Sequence, residues 1–162
     1  LEFRRVLFRS YLVVDSFEEV SGVYDLVIHN YGPDRLVGSL HVEVPDTMTV
    51  RELDKLERNI AQKVYMETGV GVTGVSVYSV NTINDKAAEI EKKARELAAK
   101  YSEILELHGF YFEEEGKNYR FDLIIDYDIK DRREIYDRYV EELERTYPEY
   151  KAYVTLDVDM SD

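Results

Sequence analysis

One supersecondary pattern is written twice in this chain, and that repetition constrains its fold more than any other feature. In the first copy, Gly22 to Asn30 is rich in Val, Leu, Ile and Tyr, and Asn30-Tyr31-Gly32-Pro33-Asp34 supplies a turn. Leu36, Gly38, Leu40, Val42 and Val44 then alternate with Val37, Ser39, His41 and Glu43, the period of a strand with one buried face. Pro45 and Asp46 end it. Thr49 and Glu52 have capping-box spacing ahead of a helical stripe of Leu53, Leu56, Ile60 and Val64. Gly69, Gly71 and Gly74 read as a break before a last strand from Val75 to Val80. In the second copy, Ile104 to Phe112 predicts a strand, Glu113 to Lys117 a hairpin turn, and Tyr119, Phe121, Leu123, Ile125 and Tyr127 an alternating strand. Asp131 and Glu134 repeat the cap spacing before Ile135, Tyr139 and Leu143, and Ala152 to Val158 closes the copy.

Between the copies, Asn84 to Lys100 predicts an amphipathic helix with Ile90, Ala94, Leu97 and Tyr101 on one face. It serves the second copy as its first helix. The matching helix of the first copy should precede Gly22. There the decapeptide Leu1 to Ser10 reads as translated adapter sequence, and setting it aside leaves only the short stretch from Asp15 to Val20. The expected architecture is α+β, two tandem ferredoxin-like units, each an open-faced sheet with helices on one side. The division that follows is residues 1–10 extraneous, 11–82 a first unit and 83–162 a second unit including the connecting helix. The chain opens on Leu1 rather than Met and reads as part of a larger protein.

Composition narrows the function classes. With 34 acidic against 21 basic side chains the formal charge is −13, which repels nucleic-acid phosphates and anionic membrane surfaces. Cysteine is absent from the sequence, so disulfides, thiolate zinc sites and cysteine nucleophiles are excluded. No serine sits in a G-x-S-x-G elbow. The run Gly69-Val70-Gly71-Val72-Thr73-Gly74 follows a helix and precedes a strand, the reverse of a dinucleotide-binding loop. His41 and Glu43 share the polar face of one strand, where both could reach one cation, although two donors are too few for a metal site. The reading is of a chain that is not an enzyme.

The segment Gly22-Val23-Tyr24-Asp25-Leu26-Val27-Ile28-His29-Asn30-Tyr31-Gly32-Pro33, followed by His41-Val42-Glu43-Val44-Pro45, resembles the C-terminal cytoplasmic domain of the cation diffusion facilitator family of metal cation transporters. The resemblance covers residues 16 to 81, and Leu107-His108-Gly109-Phe110 with Phe121-Asp122-Leu123 would open a second module of the same kind. It implies a homodimerising domain at the cytoplasmic face of the cell membrane, following a membrane domain that exchanges divalent metal for protons. It also implies a regulatory metal site, of which this chain keeps little. The family's strand-one histidine is Tyr24 here, its helix histidine Asp54, its last-strand histidine Tyr78, and Val80 stands where an Asp commonly follows. His41 and Asp54 are the remaining candidate ligands, and zinc binding through them is expected to be weak. An alternative is a small-molecule-binding regulatory module. An acyl-phosphate hydrolase is a third reading, but it needs an anion-binding arginine that Gly22 to Asp34 lacks before the turn.

Overall fold

A computed structural model describes residues 2–157. Contacts divide the described chain after Val80 into unit one, residues 2–80, and unit two, residues 81–157. Each is a ferredoxin-like helix–strand–strand–helix–strand layer. In unit one, α1 (Glu2–Asp15) leads into β1 (Gly22–Asn30), β2 (Leu36–Pro45), α2 (Val50–Thr68) and β3 (Val70–Val80). In unit two, α3 (Asp85–Ala98) leads into β4 (Ile104–Glu113), β5 (Asn118–Ile125), α4 (Arg132–Thr146) and β6 (Lys151–Leu156). The sheets have strand orders β1-β2-β3 and β4-β5-β6, antiparallel across the hairpin and parallel across the helical crossover.

The apolar alternation sets which face is buried. Leu40, Val42 and Val44 of β2 pack under Leu56, Ile60 and Val64 of α2, joined by Val13 and Val14 of α1. Tyr119, Phe121, Leu123 and Ile125 of β5 pack under Ile135, Tyr139 and Leu143 of α4 and Ile90, Ala94 and Leu97 of α3. Burial holds the phenols of Tyr119 and Tyr139 far above their ordinary range, so both are neutral polar groups inside an apolar core.

Four local features differ from the expectations. The first helix of unit one runs through most of the decapeptide that was set aside. Ser10, Val13 and Val14 are buried with Val6 and Leu7 half-buried beside them, a stripe of helical period. β3 starts at Val70, so Gly71 and Gly74 lie inside the strand. Pairing jumps from Gly38↔Val72 to Ser39↔Gly74, leaving Thr73 as an extra residue in a bulge. Only Gly69 acts as a break, capping α2 at φ 77°. Asp131 caps α4 without a side-chain hydrogen bond, because its ψ of 42° departs from the extended backbone that Thr49 adopts at the start of α2. Tyr127 falls beyond β5, and Val158 lies outside the described residues.

Candidate functional site

The hairpins carry matching irregularities at the same place. In β1–β2, Tyr24 pairs with His41 and Val27 with Ser39, so Asp25 and Leu26 together oppose Leu40. In β4–β5, His108 pairs with Asp122 and Tyr111 with Arg120, so Gly109 and Phe110 together oppose Phe121. Asp25 and Gly109 both have left-handed backbones, φ 53° and 69°. On the parallel side His41 pairs with Ser76, and Asp122 with Thr155. Tyr24, His41 and Tyr78 in unit one therefore occupy the positions of His108, Asp122 and Asp157 in unit two. Gly22 likewise corresponds to Glu106.

In unit one the group centres on Asp25. Its Oδ2 accepts a 2.9 Å hydrogen bond from the Tyr78 hydroxyl and lies 3.0 Å from Nδ1 of His41. The imidazole stacks on the Tyr78 ring at 4.6 Å and 14°, and Tyr24 meets that ring edge-on at 6.2 Å. A phenol and an imidazole thus converge on one carboxylate, an arrangement that fixes side chains by hydrogen bonding and stacking.

The other candidates in this unit are directed elsewhere. Glu43 shares His41's strand face but accepts a 3.0 Å hydrogen bond from Ser21 Oγ. Asp54 lies on exposed α2, with both carboxylate oxygens 3.0 Å from Nε of Arg58. No hydrogen bond or ion pair among the described residues joins His41 to Asp54. A depression of about 430 Å³ on the helical side is lined by Phe17, Asn59, Gln62, Lys63, Met66 and Glu67. Apart from Phe17 these are exposed, so it offers no buried polar group to orient a ligand.

In unit two the corresponding group centres on His108, which is 1% exposed. Glu106 Oε1 lies 2.7 Å from its Nδ1. On the other side of the ring, Nε2 lies 3.6 Å from Asp122 Oδ2 and 3.7 Å from Asp157 Oδ2. Sequence reasoning singled out His108 only as part of a possible second module and passed over its three carboxylates. Laying the two copies over one another would have found them, since Asp122 falls on His41 and Asp157 on Tyr78.

Residues 12–73 match the family described as cation efflux protein, cytoplasmic domain. No curated protein matches the chain. Among solved structures, the nickel form of a MamM C-terminal-domain variant is 15% identical over 49% of this chain and 98% of its own, with a TM-score of 0.40. The zinc form of that variant covers 51% of this chain and 88% of its own, at 15% identity and a TM-score of 0.41. Another MamM C-terminal-domain structure is 15% identical over 49% of this chain and 99% of its own, with a TM-score of 0.41.

Proposed function

We propose, from the match of residues 12–73 to the cation efflux cytoplasmic domain, that the chain is the dimerisation and regulatory portion of a divalent metal cation transporter. The family match over unit one is the observation that carries this reading. On it, the parent protein moves the cation against protons through a membrane domain, and this portion pairs with a second copy at the cytoplasmic face. No helix among the described residues is long and apolar enough to cross a membrane.

The residues of unit one are poorly placed for metal sensing. Zinc wants three or four donors from one neighbourhood. His41 has Asp25 at its Nδ1, and Asp54 is tied to Arg58 on an exposed helix face. Zinc binding by His41 and Asp54 is accordingly weak, and association of two copies proceeds without it. The −13 charge opposes pairing at low ionic strength, and salt relieves that repulsion. Sedimentation of the chain over a concentration series in chelator should show association that strengthens with added salt. A full-length parent that remains strictly monomeric in membranes or detergent would overturn the reading.

A further inference from the structure

Each sheet has three strands, so β3 in unit one and β6 in unit two are edge strands. The two edges are finished differently. In β6 the N–H of Lys151 donates to the Lys117 carbonyl, and the N–H of Asp157 to that of Leu123. By strand alternation the backbone groups of Ala152, Val154 and Leu156 then face away from the sheet. The Tyr136 hydroxyl of α4 occupies the middle of that row, donating to the Val154 carbonyl at 2.6 Å. The Arg133 guanidinium lies 4.9 Å over the Tyr136 ring, and Lys151 puts a second charge at the start of the strand. A capped carbonyl and nearby charges keep other chains from pairing with a sheet edge.

The edge of β3 is bare by comparison. Val80 accepts from the Asp46 N–H on the β2 side, so the N–H and C=O groups of Val75, Val77 and Ser79 face outward. No hydrogen bond among the described residues reaches those groups from outside the strand. Leu56 and Ile60 of α2 correspond to Ile135 and Tyr139 of α4, which places Glu57 where Tyr136 stands. An ionised carboxylate has no hydrogen to give a carbonyl. At 11 residues β3 is also the longest described strand, and the one described strand without an acidic or basic side chain, in a chain that is 34% charged.

We propose that the outer edge of β3 pairs antiparallel with the same strand of a second copy, joining two three-stranded sheets into one. This names a surface for the pairing put forward above and rests on that reading. Charge selects the occupant. Two chains of formal charge −13 repel wherever their acidic surfaces meet, and the uncharged β3 edges let two backbones approach without adding to that repulsion. The edge is also self-complementary. A two-fold axis at Val77 sets that residue opposite its own counterpart and Val75 opposite Ser79, each pair exchanging both of its hydrogen bonds. Val75 and Val77 are half-buried at the margin of the unit-one core, and the valines of a second copy would extend that apolar layer. The bulge at Thr73 limits the paired segment on one side.

Ser79 is exposed and its N–H points away from β2, so Ser79→Pro removes an outward donor without unpairing the sheet. By symmetry the substitution removes two bonds from the pair. It should weaken association about tenfold or more in sedimentation over a concentration series. Ser79→Glu, which sets a charge on the edge, should act in the same direction. Gln62→Glu adds the same charge to an exposed position of α2 and should change association by less than about twofold. Circular dichroism confirms that each variant is folded. Amide hydrogen exchange reads the edge directly. Raising the concentration should slow Val75, Val77 and Ser79 about tenfold and leave Ala152 and Leu156 unchanged. Association that survives both Ser79 variants overturns this edge and leaves pairing to another surface. Protection of Val75, Val77 and Ser79 that does not depend on concentration puts another segment of the same chain on the edge and overturns it equally. A chain that stays monomeric at every concentration overturns it too, and the full-length parent then decides the pairing reading by itself.

Discussion

Two tyrosines on facing elements of unit two separate what burial does from what hydrogen bonding does. The Tyr139 hydroxyl donates to the carbonyl of Ala94 at 2.8 Å, whereas the Tyr119 hydroxyl is buried without a partner among the described residues. Removing a satisfied hydroxyl leaves a buried carbonyl short of a donor, and removing an unsatisfied one relieves a desolvation penalty. Tyr139→Phe should lower stability by about 1 kcal/mol, and Tyr119→Phe should leave it unchanged or raise it by up to about 1 kcal/mol. Urea denaturation of both variants checks the pair, and the two midpoints should move in opposite directions or only the first should move. The same scale shows why the sites were hard to read. Asp25 sits in an uninterrupted strand-like run, and nothing in Tyr24-Asp25-Leu26-Val27 announces a left-handed backbone at an aspartate. The carboxylates near His108 come from β4, from β5 and from the residue just beyond β6, so their approach depends on bulge and register rather than on spacing along the chain.

At the level of elements, α2 and α4 share a cap spacing but not a cap. Thr49 accepts from the backbone N–H of Glu52, and Glu52 accepts in return from the backbone N–H of Thr49. Asp131 makes no such bond. Thr49→Ala should cost about 1 kcal/mol, and Asp131→Ala only a few tenths from the helix dipole. Thermal melts of the two variants check this contrast. The backbone and hydroxyl of Thr49 hold the Glu52 carboxyl below its ordinary 4.5. A depressed carboxyl stabilises the fold above its unfolded value, and that stability is lost as pH falls through the folded value. The advantage of the native chain over Glu52→Ala should be full at neutral pH and fade below pH 4.5, as melts across an acid series will show. The helices α2, α3 and α4 and five of the strands were legible from period and caps. In contrast, α1 was not, because its stripe passes through Ser10 and through residues set aside on other grounds. The early start of β3 was hidden by Gly71 and Gly74, whose usual meaning as breakers gives way to pairing with β2.

For the molecule as a whole, the surplus of acidic side chains is its least specific and most easily tested property. Self-repulsion at a formal charge of −13 destabilises the folded state at low ionic strength, so the melting temperature should rise as salt is added to a few hundred millimolar. A melting temperature that falls over that range would mean that the surface ion pairs, such as Arg145 with Glu141 and Lys151 with Glu144, outweigh the net repulsion. The repeat was legible at this scale because composition and alternation survive divergence, while the different side chains at matched positions were read separately. Those matched registers also make the two sheets interchangeable templates. Gly22→Glu, Tyr24→His, Asp25→Gly, His41→Asp and Tyr78→Asp together would transplant the side chains of unit two into unit one at homologous backbone positions. If register rather than side-chain identity holds each hairpin in shape, the recipient sheet should keep its circular-dichroism spectrum and a cooperative melt, each half of the chain serving as the other's scaffold control.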